Sequence, residues 1–493
     1  MIGTFNGPSA TRVGRPDAIT VVSGRSERSL FVIGQNGTVE DMTLQSPPIE
    51  GASAAEIVDS VRSLVARGAL EDGTLLPPVR ALADQLGLNR NTVAAAYRQL
   101  AERGVVAGRG RGGTVVASPD RLRGEGTRSP ASAVDLAGGN PDPRLLPDLR
   151  AAFSAVAYEP PLYGAPEVLP ALRERAERLF AADVDEPYGL SVTHGALDAI
   201  ERLLGTVLVR GDAVAVEEPG YLASTSIVSA MGFRPVGVRI DQRGMDPVAL
   251  EAAIENGVRA VVCTPRAQNP TGASMDGERA ARLRQVLDAH PEVFVIEDDH
   301  LSLVADAAYE RTRSSRTARW ALVRSMAKML GPDLRVAVVA SDPRTEDQLR
   351  RRLVAGVNWV SHLLQGTVAA LLADPATPQL LTDARAAYSR RTARLQDELR
   401  SRGIASARPT DGWNVWVPLD HDEAFVVDAL AGSGWQVRPG SAYAVEPARG
   451  RQALRVTTST MSARDAERFA EALAGVLRET GARRPAASKQ RAA

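Results

Sequence analysis

The sequence contains a single cysteine, Cys263, so no disulfide can form within the chain and a reducing cytosol is the expected compartment. Its apolar neighbours Val261 and Val262 favour a buried strand position over a reactive thiol. No apolar run approaches the roughly 20 residues that span a bilayer, and the basic-then-apolar order of a secretory signal is missing. We therefore expect a cytoplasmic protein with no membrane partner.

The sequence also lacks a net charge, because 59 basic residues balance 59 acidic ones. A local excess nevertheless exists over 77–111, where six arginines face only Asp84 and Glu102. By itself this basic segment is a weak indication of nucleic-acid binding. The length of 493 residues, with 44% apolar and 24% charged residues, is typical of a globular protein of two or three domains.

Composition and periodicity divide the chain into five parts. The first shows no sustained period and is rich in Gly, Ser and Thr; we favour a mobile tail there, with a small hairpin as the alternative. The third is charged and contains Pro and Gly, as linkers do. The predicted parts are an N-terminal extension 1–50, a compact unit 51–117, a linker 118–133, an α/β domain 134–478 and a basic tail 479–493.

The compact unit has the pattern of a winged helix-turn-helix. Apolar residues recur on one face of each helical stretch, prolines stand where a helix can begin, and Gly87 breaks the pattern between two of them. The predicted elements are a helix over 54–65, a helix that begins at Pro77-Pro78, a helix from Asn89 to about Arg103, and strands at 105–106 and 114–116.

The third helix has side chains that suit DNA. Arg90, Asn91 and Thr92 stand at its N-terminal end, which enters the major groove in such motifs. Arginine can pair with guanine and asparagine with adenine. Candidate phosphate contacts are Tyr97, Arg98, Arg109 and Arg111. A protein-interaction module with a solvated basic face remains the alternative at this point.

The segments 76–83, 91–93 and 96–100 resemble the GntR family of bacterial regulators. In that family the arginine that matches Arg80, the turn residues that match 90–92 and the glycines of the wing contact DNA. The resemblance therefore implies double-stranded promoter DNA as a partner.

A second set of residues suits pyridoxal 5'-phosphate. A lysine amine, here Lys328, condenses with the aldehyde to a Schiff base. A carboxylate after an apolar strand, here Asp298, keeps the pyridine nitrogen protonated. Asn269 can donate to the phenolic oxygen, and Tyr221 can stack on the ring.

The phosphate of such a cofactor needs a cation and several hydrogen-bond donors. Arg335 supplies a guanidinium fork, Ser325 a hydroxyl, and Gly195 with Ala196 the backbone N–H groups at the start of a helix. Taken singly, each candidate has a commoner explanation as a surface charge, a cap or a core aromatic. Their positions at strand ends favour a site, because ligands bind at the carboxyl ends of strands in α/β sheets. Alternating strand and helix patterns predict an α/β domain with parallel strands.

The motifs at 269–272, 298 and 325–335 resemble fold-type I pyridoxal-phosphate aminotransferases. The resemblance implies that Arg455 binds a ligand carboxylate and that Tyr163 reaches the phosphate held by a partner subunit, and hence a homodimer. His300 stands where the family commonly has tyrosine and can bond the phenolic oxygen. Ala196 and Ala327 stand where hydroxyl residues are frequent, which places efficient turnover in doubt more than cofactor binding.

A GntR-type head fused to an aminotransferase-like body resembles the MocR regulators. The motifs at 89–97, 264–267, 298–300 and 331–335 resemble the PtsJ type within them. This implies a transcription regulator, often of vitamin B6 genes, that senses pyridoxal phosphate or an amino ligand through Lys328. Two alternatives stay open: an active aminotransferase with an accessory head, and a regulator whose α/β body only dimerises. No metal site is predicted.

Overall fold

The protein divides into two compact units, Met1–Pro119 and Asp120–Ala493, in the computed structural model. None of the helices in the part of the chain that is described is both long and apolar enough to cross a bilayer. The structure describes residues 48–71, 73–102, 105–108, 113–116, 133–408, 410–445 and 452–482, and two strands at 30–33 and 39–42.

The first unit contains a hairpin and then the head. The sequence favoured an extension without regular structure over 1–50, whereas Leu30 pairs with Met42 and Ile33 with Val39 in antiparallel register. Two strands of four residues are too short to produce a clear periodic signal. The elements of this unit are β1 (Leu30–Ile33), β2 (Val39–Met42), α1 (Ala54–Ala66), α2 (Val79–Leu86), α3 (Arg90–Glu102), β3 (Val106–Gly108) and β4 (Thr114–Val116).

The head has the predicted order of three helices and an antiparallel hairpin, β3–β4. Ser53 caps α1, because its hydroxyl accepts a hydrogen bond from the amide of Glu56. Gly87 ends α2 in the left-handed conformation, at φ +67°, which glycine adopts without strain. The winged helix-turn-helix prediction is confirmed. Its buried core includes Ile57, Val61, Leu82, Val93, Leu100 and Val116.

The second unit contains the remaining strands and helices. Its strands are β5 (Val134–Asp135), β6 (Gly189–Thr193), β7 (Ala213–Glu218), β8 (Arg234–Asp241), β9 (Gly244–Met245), β10 (Val258–Cys263), β11 (Phe294–Asp299), β12 (Trp320–Ser325), β13 (Ala337–Ser341), β14 (Asn414–Pro418), β15 (Trp435–Gln436), β16 (Arg438–Pro439) and β17 (Ala453–Thr457). Its helices are α4 (Leu149–Ser154), α5 (Pro170–Phe180), α6 (Ala196–Val207), α7 (Leu222–Ala230), α8 (Pro247–Glu255), α9 (Gly277–Ala289), α10 (Ala327–Leu330), α11 (Pro343–Val354), α12 (His362–Ala373), α13 (Thr377–Ser401), α14 (Glu423–Gly432) and α15 (Ala463–Ala482).

An eight-stranded sheet forms the centre of this unit, in the order β6-β13-β12-β11-β10-β7-β8-β9. The α/β prediction is confirmed, but the sheet is mixed: β13 runs antiparallel to both of its neighbours, and β9 is antiparallel to β8. Only the eleven residues 326–336 join β12 to β13. A parallel return needs a crossover of a dozen residues or more, so this short connection fixes the antiparallel direction.

A smaller layer follows the large sheet in the chain. β14, β17 and β16 form an antiparallel sheet whose buried side chains, including Val415 and Val456, share a core with Leu395 of α13 and Phe469 of α15. β15 pairs in parallel with β5, which brings the first described residues of this unit back to the small layer. The last helix crosses the boundary that the sequence predicted at 478.

Candidate functional site

The predicted cofactor residues collect along one edge of the large sheet. β6, β7, β10, β11 and β12 share one direction, so their carboxyl ends meet there, and the antiparallel β13 begins at the same edge. Gly195 and Ala196 follow β6, Tyr221 follows β7, Asn269 follows β10, Asp298 lies in β11 with His300 just beyond it, Ser325 ends β12, Lys328 follows it, and Arg335 precedes β13.

Lys328 lies in the short helix α10, and its side chain is half-buried. Its Nζ donates a hydrogen bond of 2.7 Å to the carbonyl oxygen of Gly139 and lies 5.7 Å from the ring centroid of Trp413. The indole N–H of Trp413 also donates to Gly139, over 3.4 Å. The amine is thus held at the edge of the sheet by a backbone carbonyl and an aromatic face.

β11 carries three consecutive buried acids, and the pleat of the strand separates them. Glu297 and Asp299 point to one face, where Arg313 pairs with Glu297, whereas Asp298 points to the other. Among the described residues no hydrogen-bond partner reaches Asp298 Oδ1. Burial raises the pKa of Asp298 to about 7, and the charges of Asp299 and Glu217 act in the same direction. A buried acceptor of this kind suits a cationic N–H donor such as a protonated pyridine.

Arg455 lies in β17 and is fully buried. Its Nη1 donates to Asn269 Oδ1 over 3.2 Å, its Nη2 donates to the carbonyl oxygen of Ala137, and its guanidinium lies 5.3 Å from the ring centroid of Tyr443. The structure therefore brings together the residue expected to bind a carboxylate and the residue expected to bind the phenolic oxygen. A carboxylate that reached Arg455 would compete with the carbonyl of Ala137.

The start of α6 forms an anion cradle with Arg335. Gly195 caps this helix at φ +91°, and a Cβ there would lie 3.0 Å from Arg335 Nη2. The exposed guanidinium of Arg335 donates to the carbonyl oxygen of His194 over 3.2 Å. Ser325 Oγ accepts from the amide of Ala327 over 3.3 Å, which leaves its own hydrogen for an acceptor. These groups fit a phosphate at a helix N-terminus.

Two further predicted residues border the same edge. Tyr221 precedes α7, is half-buried, and packs against the cluster that contains Trp416 and Tyr443. His300 directly follows β11 and is also half-buried. Together with the unpartnered acceptor on Asp298 and the cradle at Gly195, these side chains fit pyridoxal phosphate in residue type and in position along the sheet edge.

Sequence reasoning missed Glu217, which is completely buried at the end of β7. Its Oε1 accepts from the amide of Thr264 over 2.9 Å, and its Oε2 accepts from Gln268 Nε2 over 3.1 Å. Burial raises the pKa of Glu217 to about 7 although both groups donate to it. Gln268 also donates to the carbonyl oxygen of Pro219, so this acid fixes the loop that precedes Asn269. Two adjacent glutamates after an apolar strand are the only sequence signal.

Tyr163 is not brought to the sheet edge by its own chain. Its side chain is 89% exposed, and its ring lies 5.8 Å from that of Trp359. Leu162 beside it is 80% exposed. A tyrosine that is this exposed in its own chain fits the expected contact with the phosphate site of a partner subunit.

The predicted DNA contacts lie on and beside α3. Arg80, Arg90, Asn91 and Arg98 are exposed, and Thr92 is half-buried. Asn89 caps the helix, because its Oδ1 accepts from the amide of Asn91 over 2.8 Å. The wing residues Arg109 and Arg111 lie outside the described residues.

Tyr97 differs from the other candidates in the head. It is 6% exposed, and its hydroxyl donates a hydrogen bond of 2.8 Å to the carbonyl oxygen of Pro77. Burial raises the pKa of Tyr97 to about 12. Because the ring packs in the head core and the hydroxyl is already engaged, we assign Tyr97 to the packing of α3 against the start of α2 instead of to a phosphate contact.

Comparison with protein families matches both units of the chain. Residues 53–116 match the family described as "Bacterial regulatory proteins, gntR family", and residues 132–473 match "Aminotransferase class I and II". The chain belongs to the aminotransferase class I and II family, in the subgroup that carries a gntR-type helix-turn-helix head. The predicted fusion is therefore confirmed.

Curated relatives align with most of this chain and with most of their own length. The vitamin B6 salvage pathway transcriptional repressor PtsJ of Salmonella typhimurium is 45% identical over 416 residues, which cover 84% of this chain and 96% of that protein. The pyridoxine biosynthesis transcriptional regulator PdxR of Corynebacterium glutamicum is 30% identical over 82% of this chain and 91% of its own length. The probable rhizopine catabolism regulatory protein MocR of Rhizobium meliloti is 27% identical over 65% of this chain and 71% of its own.

Solved structures support the fold of the larger unit. A multiple substrate aminotransferase from Thermococcus profundus superposes with a TM-score of 0.66 at 19% identity, over 72% of this chain and 93% of that one. A kynurenine aminotransferase from Pyrococcus horikoshii gives 0.65 at 20% identity, over 73% and 96%. At this identity the likeness shows the fold alone.

Proposed function

We propose that this chain is a pyridoxal-phosphate-dependent transcriptional regulator. It binds promoter DNA through the gntR-type head and senses pyridoxal phosphate or an amino ligand through Lys328. By analogy with the vitamin B6 regulators PtsJ and PdxR, its targets belong to vitamin B6 or amino-compound metabolism. The observation that carries the proposal is the buried acceptor on Asp298 at the carboxyl edge of the sheet. It occurs in a chain whose residues 53–116 match the gntR family.

The residues at the sheet edge would divide the work of holding the cofactor. When bound, pyridoxal phosphate supplies an aldehyde that can bond covalently to a primary amine. Lys328 provides that amine, and Asp298 accepts from the ring nitrogen. Asn269 and His300 bond the phenolic oxygen, and Tyr221 covers the ring. The phosphate would be held by the cradle that consists of Gly195, Ala196, Ser325 and Arg335.

Selection of DNA fragments tests the regulatory function directly. Fragments retained by the protein are sequenced with pyridoxal phosphate present and absent. We expect one enriched sequence whose retention changes with the cofactor. Fragments without any common sequence in both samples would contradict the proposal.

An active aminotransferase is the second candidate, and Arg455 favours it. A buried guanidinium beside Asn269 is suited to hold the carboxylate of an amino-acid substrate, with Lys328 moving the proton at the substrate Cα. Rapid multiple turnover with a common amino acid, without sequence-specific DNA binding, would support this candidate against the regulator. A single half-reaction that stops after one turnover would favour the regulator.

We further propose that the protein acts in the cytoplasm as a homodimer. Leu162 and Tyr163 form an exposed apolar pair, and Tyr163 is the residue expected to reach the phosphate in a partner subunit. Dimerisation would bury this pair and place two heads on one operator. Tyr163→Phe should keep the dimer in sedimentation experiments and weaken cofactor affinity. A stable monomer that binds the cofactor at full affinity would contradict this arrangement.

A further inference from the structure

Two backbone carbonyls of one short segment contact two of the basic side chains of the candidate site, Lys328 and Arg455. Gly139 O accepts from Lys328 Nζ at 2.7 Å, and Ala137 O accepts from Arg455 Nη2. Both carbonyls belong to residues 135–140, which we call the strap. The strap therefore occupies the hydrogen-bonding positions on the two side chains that the aldehyde and the carboxylate of a ligand would use.

The strap is a turn that is anchored at both sides of these contacts. Asp135 Oδ1 accepts from the amides of Ala137 and Gly138 over 2.8 and 2.9 Å, which folds the turn. Leu136 exchanges backbone hydrogen bonds with Gln436 and Thr457, both of 2.8 Å. The amide of Gly139 donates to Thr457 Oγ1 over 3.3 Å. Beyond the bond to Lys328, Gly139 itself has the bond from its amide to Thr457 and the longer bond that its carbonyl accepts from Trp413.

We infer that the strap is the element that reads the ligand state of Lys328 and Arg455; this rests on the proposed function. Condensation of the Lys328 amine with an aldehyde forms a C=N bond, and the two amine hydrogens leave with the carbonyl oxygen as water. The nitrogen then retains no hydrogen, or one when it is protonated. Gly139 O consequently loses its principal donor when the nitrogen is unprotonated and faces at most one N–H when it is protonated, while the longer contact from Trp413 stays.

The carboxylate of an amino ligand acts on the second contact of the same segment. It competes with Ala137 O for the guanidinium of Arg455, because a carboxylate forms stronger hydrogen bonds with arginine than a neutral carbonyl does. The aldehyde therefore weakens the hold on the strap at Gly139, and the carboxylate weakens it at Ala137, whose carbonyl keeps a longer bond of 3.4 Å from Arg438 Nε. One segment responds to both classes of ligand.

The position of the strap in the sequence connects it to the head. Residue 133 is where the described part of the second unit begins, and β5 leads straight into the strap. Through 117–132 the chain continues covalently to the head. β5, which pairs with β15, is thus the described element that lies between the strap and the segment leading to the head.

Hydrogen exchange of the strap amides tests this inference on the full-length protein. Exchange of a peptide that covers 133–142 is compared with pyridoxal 5'-phosphate and with pyridoxine 5'-phosphate, whose alcohol cannot condense with an amine. We expect faster exchange of the Gly138 and Gly139 amides with the aldehyde and no change with the alcohol. Equal exchange with both compounds, once both are shown to bind, would overturn the inference.

A strap variant separates this inference from the proposed function. Asp135→Ala removes the bonds that fold the strap, and Asp422→Ala, which removes a helix cap on α14, is the matched control. We expect Asp135→Ala still to form the borohydride-reducible bond at Lys328, while the effect of pyridoxal phosphate on DNA affinity falls below about twofold. A full response in Asp135→Ala contradicts the strap alone. No covalent bond in the wild type contradicts the proposed function itself.

Discussion

Asp298 and Asp299 are neighbours in β11, yet their buried carboxylates have opposite surroundings. Arg266 donates to both oxygens of Asp299, over 2.7 and 2.8 Å, and Arg324 adds a third bond of 2.9 Å. Burial opposes ionisation of Asp299, but these two guanidiniums outweigh it and hold its pKa below the usual range. Within the part of the chain that is described, no hydrogen-bond partner reaches Asp298 Oδ1, and burial raises the pKa of Asp298 to about 7. The strand thus favours the ionised form of Asp299 and leaves an oxygen of Asp298 available to a ligand.

The pH dependence of stability should reveal the raised pKa of Asp298. A carboxyl whose pKa is raised on folding favours the folded state below its unfolded pKa, and this contribution is lost as pH rises through the folded pKa. For Asp298 the loss between about pH 5 and about pH 8 amounts to roughly 2 to 3 kcal/mol. Urea unfolding of cofactor-free protein should therefore show a smaller decrease over this range for Asp298→Asn than for the wild type. Parallel pH profiles of the two proteins would contradict the assignment.

Gly195 should be required for phosphate binding in a way that a glycine elsewhere is not. Gly195→Ala places a Cβ 3.0 Å from Arg335 Nη2 at φ +91°, whereas Gly403 has φ +74° with nothing within 4 Å of a built Cβ. Both substitutions place an alanine at a positive φ and should each cost about 1 to 3 kcal/mol of stability. Only Gly195→Ala should also weaken pyridoxal phosphate binding, by about tenfold or more, in a fluorescence titration. Equal cofactor affinities of the two variants would contradict the cradle.

Substitutions of Tyr97 and Arg80 should have different effects, the first on the stability of the head and the second on its DNA affinity. Tyr97→Phe removes the hydrogen bond to Pro77 and should cost about 1 kcal/mol of unfolding free energy, with the DNA affinity of the folded protein unchanged. Arg80→Ala should leave stability within about 0.5 kcal/mol and reduce the slope of log affinity against log salt by about 1. The measurements are urea unfolding and fluorescence anisotropy at several salt concentrations. A loss of DNA affinity in folded Tyr97→Phe protein, at any salt concentration, would restore Tyr97 as a phosphate contact.

Much of the fold, and the residue types of the site, could be predicted because the type of a residue determines its local conformational and chemical preferences. Local signals have the same effect in any fold. Examples are the helix cap Asn89, the turn glycine Gly87 and a lysine that follows an apolar strand. The direction of β13 was missed because the alternating pattern is the same for parallel and antiparallel strands. Only the length of the preceding connection distinguishes them.

Other features could not be predicted because the sequence contains no residue type that indicates them. The contacts of Ala137 and Gly139 are made by backbone carbonyls, which every residue has, and they join positions separated by more than half of this domain. The burial of Tyr97 was missed because a tyrosine on α3 suits a phosphate or a core equally well. Glu217 was missed because its hydrogen bonds depend on the loop at 264–268, which only the folded sheet brings near.

The covalent bond at Lys328 is the central claim, and the sequence makes its test unusually clean, since Lys328 and Lys489 are its only lysines. Purified protein is incubated with pyridoxal phosphate, treated with borohydride, and digested for peptide mass measurement, with Lys489→Arg as the matched control. The account predicts one reduced pyridoxyl phosphate group on Lys328 in both proteins and none at that position in Lys328→Ala. An unmodified Lys328 peptide from fully treated wild-type protein would contradict it.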